Sequence, residues 1–116
     1  MRRLFSIAVL ALLFAFACTG NKTPAIEATV HVWGNNDQCK ATIEAASKVE
    51  GVTEAVWSPD SKLLKLKLDT SVVTVNTVLQ AVAKAGYDNE KFFADDYAYN
   101  KLPAACQYER RPFETK

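Results

Sequence analysis

The run Leu63 to Asp69 reads Leu-Leu-Lys-Leu-Lys-Leu-Asp, and it constrains the fold more than any other stretch. Leu64, Leu66 and Leu68 fall on one side of a two-residue period, and Lys65 and Lys67 on the other. That is a β-strand with one buried face, so the chain must build a sheet around it. A partner strand precedes it, Val52 to Ser58, with Val52, Ala55 and Trp57 as the inward set. Pro59-Asp60-Ser61-Lys62 joins the two as a hairpin turn. An earlier strand spans Glu27 to Trp33. Ala28, Val30 and Val32 share one of its faces, while Thr29, His31 and Trp33 share the other. His31 is therefore expected at the surface and not as a ligand.

Helical spacing fills the gaps. Gln38 to Glu50 carries a stripe of Ile43, Ala46 and Val49, with Cys39 one turn earlier on the same side and Gly51 as a left-handed stop. Thr74 to Ala85 repeats Val75, Val78, Leu79, Val82 and Ala85 between a threonine cap and Gly86. A short fourth strand is expected within Tyr87 to Phe93. A third helix follows from Ala94-Asp95-Asp96 to about Leu102, where Pro103 breaks it. The order strand, helix, strand, strand, helix, strand predicts an α+β, ferredoxin-like split βαβ unit. Its four-stranded antiparallel sheet carries two helices on one face, plus the short C-terminal helix. Val30, Val32, Ile43, Trp57, Leu64, Leu66, Val78 and Val82 should form the core. The charged tail from Arg110 is expected to fray.

The chemistry gathers at Trp33-Gly34-Asn35-Asn36-Asp37-Gln38-Cys39-Lys40, where the first strand turns into the first helix. Asn35, Asn36 and Asp37 are capping residues. The helix N-terminus puts positive potential on Cys39, which favours its thiolate and suits it to a soft metal ion or to redox work. The plain alternative is a small apolar residue buried under the helix.

The front of the 116-residue chain reads as a leader. Arg2 and Arg3 precede an apolar run, Leu4 to Phe16, that is too short to span a bilayer. Ala15-Phe16-Ala17-Cys18 fits a small-x-small cleavage site and an imperfect bacterial lipobox, with Cys18 as the acylated residue. The expected layout is a signal peptide over 1–17, a lipoprotein-type tether over 18–26, a domain over 27–93 and a helical extension over 94–116. The protein is expected to be secreted across the inner membrane and held by a lipid anchor as a periplasmic or outer-membrane lipoprotein. The formal charge of +1 falls to −1 without Arg2 and Arg3, and no basic cluster suggests nucleic acid. With Cys18 lipidated, Cys39 and Cys106 are the remaining thiols and could pair in an oxidising compartment. No catalytic set can be assembled, neither a Ser/His/Asp group nor paired carboxylates nor a phosphate-binding glycine loop, so an enzyme is not expected.

Residues 27–92 resemble the heavy-metal-associated domains of copper chaperones and of the N-terminal modules of metal-transporting ATPases. The closer resemblance is to secreted bacterial members with an extra C-terminal segment. Their loop reads roughly Gly-Asn-Cys-x-x-Cys-Lys-x-x-Ile-Glu; here it is Gly34-Asn35-Asn36-Asp37-Gln38-Cys39-Lys40-Ala41-Thr42-Ile43-Glu44. Ala55-Val56-Trp57-Ser58 stands for their Ala-x-Trp-Asp, and Ala85-Gly86-Tyr87-Asp88 for their Ala-Gly-His-Asp. Tyr99-Asn100-Lys101-Leu102-Pro103-Ala104-Ala105-Cys106-Gln107-Tyr108 stands for Tyr-x-x-Leu-Pro-x-Cys-Cys-x-Tyr. Asn36 and Ala105 replace the first cysteine of each pair, and Tyr87 replaces the histidine.

The resemblance implies a soft ion such as Cu(I) as cargo and an envelope metal transporter or other protein as partner. It implies Cys39 and Cys106 as ligands, with Asn36 and Tyr87 beside them. The usual two-thiolate loop site cannot form, because an amide is a poor ligand for Cu(I). In this fold Cys106 must travel back along the sheet to meet Cys39. Strand one sets that distance at roughly 20 Å, and a helix of about 13 Å plus a linker of about 13 Å can cover it. Two readings follow: a shared ion between the two thiolates, or a metal-free interaction domain in which they are disulfide-bonded or idle.

Overall fold

The computed structural model describes residues 25–112. Cys18, the leader and most of the tether lie outside the described residues.

Three strands form one antiparallel sheet in the order β1-β3-β2: β1 is Ile26–His31, β2 is Val52–Trp57 and β3 is Leu63–Leu68. The hairpin's second strand is therefore the centre of the sheet. Ile26 lies opposite Leu68 and His31 opposite Leu63 on one side, and Trp57 lies opposite Leu64 on the other. The central position explains the clean alternation, since every second residue of β3 must enter the core. Leu64, Leu66 and Leu68 are all buried while Lys65 and Lys67 face water. Lys67 reaches Glu27 and Glu54 on its two flanking strands.

Helices α1 (Asp37–Ser47) and α2 (Val75–Lys84) complete the ferredoxin-like α+β unit. Asn36 caps α1, its side-chain oxygen accepting from the amides of Gln38 at 3.0 Å and Cys39 at 3.4 Å. The Thr74 hydroxyl caps α2 by accepting from the Thr77 amide at 3.1 Å. α1 stops at Ser47, short of Glu50; the buried Ser47 hydroxyl donates back to the Ile43 carbonyl. Gly51 follows with φ +99, and a Cβ there would meet Val73 at 2.7 Å, so only glycine fits the turn into β2. All eight expected core residues are buried, together with Leu68, Leu79, Tyr87 and Tyr108.

Further expectations are corrected. The fourth strand shrinks to a single bridge, Val32 to Asn89, framed by Trp33 N–H to Asp88 O at 2.9 Å and Glu90 N–H to His31 O at 3.0 Å. Asn89 ends it, because its buried side-chain oxygen accepts from the amides of Lys91 and Phe92 and turns the chain away. The segment from Arg110 does not fray as far as it is described. Arg110 and Arg111 are bound to Asp88, which is buried. Between these points lie α3 (Asp96–Asn100), shorter than expected, and one 3-10 turn over Ala104–Cys106.

Candidate functional site

The loop from Trp33 to Asn36 leaves the β1 end of the sheet and enters α1. Gly34 permits the close approach: a Cβ there would stand 3.0 Å from both the Ile43 side chain and the Trp57 ring. The Trp57 indole N–H donates to the Val32 carbonyl at 3.0 Å, and Glu44 accepts from the Trp57 amide at 2.8 Å. Burial would push the Glu44 carboxyl up, but Lys40 and the Trp57 amide outweigh it and hold the group below its ordinary value. The helix carrying Cys39 is thereby tied to the edge strand.

Cys39 occupies the first turn of α1 and is fully buried. Cys106, on the 3-10 turn of the extension, is buried against it, and the two form a disulfide with their Cα atoms 5.5 Å apart. The backbone amide of Asn35 points at the Cys39 sulfur, N to Sγ 3.4 Å. A thiolate released at this place would have that N–H and the helix N-terminus to stabilise it.

Asn36 lies at the rim. Besides capping α1, its side-chain amide donates to the Ala105 carbonyl at 3.3 Å, and the Asn35 amide donates to the same oxygen at 3.2 Å. Asn35 was read in the sequence only as one of three capping residues and not as a neighbour of the cysteine pair. Tyr87 is fully buried and its ring stacks on Tyr108 with centroids 5.7 Å apart. Burial pushes its phenol above the ordinary value against the opposing effect of the Thr42 side chain, one turn past Cys39 on α1.

The extension is also held at a second place, which local sequence signals do not reveal. The Asp88 carboxylate takes Arg110 in a two-pronged grip, Nε to Oδ2 2.8 Å and Nη2 to Oδ1 2.9 Å. It also accepts from the amides of Ala94 at 2.7 Å and Arg111 at 2.9 Å. Burial would raise its pKa, but Arg110 and the two amides more than compensate and the net shift is downward. The Tyr108 hydroxyl donates to Gly86 O at 2.7 Å and accepts from the Asp88 amide at 2.8 Å. Tyr99 donates to Tyr108 O at 2.6 Å and meets its ring edge-on.

Among the described residues, no group of three or more His, Cys, Asp or Glu is gathered as for a metal ion. A two-coordinate soft ion needs only two thiolates, and the donor pair Cys39 and Cys106 has that chemistry once reduced.

No family profile matches the sequence, and no curated protein shows significant similarity to it. Among solved structures, the CopZ metallochaperone is similar at 27% identity and a TM-score of 0.53, over 55% of this chain and 98% of that one. A copper binding domain from HMA7, a P-type ATPase, is similar in fold at 24% identity and a TM-score of 0.53, over 55% of this chain and 89% of that one. Oxidized MerP from Ralstonia metallidurans CH34 aligns over 56% of this chain and 96% of its own at 26% identity, with a TM-score of 0.49.

Proposed function

We propose that this chain, a member of the heavy-metal-associated fold family, is a variant soft-metal carrier in which Cys39 and Cys106 share one Cu(I)-class ion. The observation that supports it most is the pairing itself. A cysteine at the N-terminus of α1 faces a second cysteine with Cα atoms 5.5 Å apart, and the fold is that of a metallochaperone at 27% identity. Fold alone would not license function; the two opposed thiols supply the site.

The disulfide is the metal-free state. A dithiol reductant breaks the sulfur–sulfur bond, becomes a disulfide itself and leaves its two protons on Cys39 and Cys106. A soft monovalent ion then displaces those protons and bridges the two sulfurs. Asn36 contributes no thiolate and serves as cap and tie to the extension. The cargo would pass to an envelope metal transporter or a second carrier, with no chemical conversion. Acylation at Cys18 would tether the domain in the periplasm or at the outer membrane; Cys18→Ser should release a membrane-bound protein into the soluble fraction, and a wild type already soluble and without lipid mass removes the anchor.

The burial of both sulfurs favours a second reading, a metal-free interaction domain whose disulfide staples the extension. Reduction with a phosphine, removal of the phosphine, and titration with Cu(I) against a chromophoric chelator separate the two. The carrier takes up one ion per chain and loses it in both Cys39→Ser and Cys106→Ser. A reduced wild type that retains no Cu(I) establishes the second reading.

A further inference from the structure

Cys106 is bonded to Cys39, yet its approach is set elsewhere. One side of it is held where Ala105 O receives Asn35 and Asn36. The other side is held by Tyr108 and Arg110, both fixed on the Gly86–Asp88 corner. Asp88 joins that corner to the loop strand, because its carbonyl accepts from Trp33 N–H at 2.9 Å, directly before Gly34. The carboxylate is buried and carries bonds from three positions of the returning chain: Ala94, Arg110 and Arg111. None of these bonds involves sulfur.

We propose that Asp88 is a positioning residue for the thiol pair: its grip on Arg110 and on the Ala94 and Arg111 amides keeps the extension docked after the disulfide is opened, so that Cys106 stays opposite Cys39. Reduction then frees two thiols without freeing the segment that carries one of them. This use of the pair rests on the carrier reading; the placement does not. Pre-organisation of this kind spares the reduced chain the entropy of bringing two distant residues together.

The test is the thiol–disulfide equilibrium of Cys39 and Cys106 against dithiothreitol, followed by trapping and counting free thiols. It contains no metal, so its outcome is separable from that of the Cu(I) titration. The step balances: the protein disulfide opens, dithiothreitol closes to its cyclic disulfide, and its two thiol protons pass to the cysteines. Asp88→Asn should lower the effective concentration of the pair at least tenfold, and Arg110→Ala should shift it the same way. Val56→Ala, a change at an exposed position of β2 outside the clasp, should leave it within twofold of wild type. The proposal is overturned if Asp88→Asn stays within twofold of wild type, or if Val56→Ala shifts the equilibrium as far. Should Asp88→Asn fail to fold, Arg110→Ala decides by the same thresholds, since it leaves the amide bonds to Asp88 in place.

Discussion

The side-chain amide of Asn36 is hydrogen-bonded to the carbonyl of Ala105 at 3.3 Å. These are the two positions where the resembling proteins carry the first cysteine of each pair. Here the two positions are joined by a neutral polar tie, next to a disulfide made by the retained cysteines.

Asn36→Ala removes both the cap of α1 and that tie. Loss of a side-chain cap costs about 1 kcal/mol. Asn36→Ser keeps a capping oxygen and should lose markedly less. Urea unfolding of the oxidised proteins, compared at constant slope, measures the difference. Equal stability of Asn36→Ala and wild type would contradict the capping role.

Reduction of Cys39–Cys106 releases a closure spanning a sequence separation of 67. The chain-entropy relation gives a stability loss of about 4 kcal/mol for a loop of that size. The unfolding midpoint should fall when reductant is added, and the midpoint of Cys106→Ser without reductant should agree with that of the reduced wild type. A loss below 1 kcal/mol would mean that the unfolded reduced chain is already compact.

Leu66 and Ile43 sit on opposite sides of the core, one on β3 and one on α1, and each is at most 1% exposed. Leu66→Ala and Ile43→Ala should each cost on the order of 2–5 kcal/mol. Val56→Ala, at an exposed position of β2, should cost far less. Equilibrium unfolding of the three variants settles the assignment of faces.

Acid should loosen the clasp. The Asp88 pKa is lower in the folded protein than its ordinary value, so the unfolded chain binds the proton more tightly. The stabilisation is complete above the ordinary aspartate pKa of about 3.9 and fades as pH falls towards the folded value. Stability measured between pH 6 and pH 2 should drop in wild type more steeply than in Asp88→Asn, which has no proton to take up. Parallel curves would remove Asp88 from the acid response.

Much of the sheet was legible because periodicity is a local signal. The Leu and Lys alternation of β3 needs only its own residues to be read. The starts of α1 and α2 were nearly as clear, since Asn36 and Thr74 cap within one turn of where they stand; the end of α1 was not, because the helix stops at Ser47 with Lys48 as its C-cap and Gly51 turns the chain into β2 instead. The fourth strand was misread because Tyr87 to Phe93 has the composition of a strand, whereas its fate is decided by the Asn89 side chain bonding onward to Lys91 and Phe92. The described start of the tail, Arg110 and Arg111, was misread for the opposite reason. Arg110 looks like a solvated charge, and its partner Asp88 is 22 positions earlier, where nothing in the sequence marks the two as a pair. The meeting of Cys39 with Cys106 was legible only as sufficient reach. Its sulfur environment, with Asn35 N–H on one thiol, depends on a loop conformation that no spacing rule specifies.

The bond between Cys39 and Cys106 turns most of the domain into a covalent ring, with α1, the β2–β3 hairpin and α2 strung along it and β1 left outside. A single peptide cleavage anywhere on that ring, for instance at the exposed Asp60-Ser61 tip, leaves both pieces attached. Such a nick would not change the mass of the chain beyond one added water, and the fragments could not drift apart. The break would remain latent in an oxidising environment and become a true severance when the protein meets a reductant.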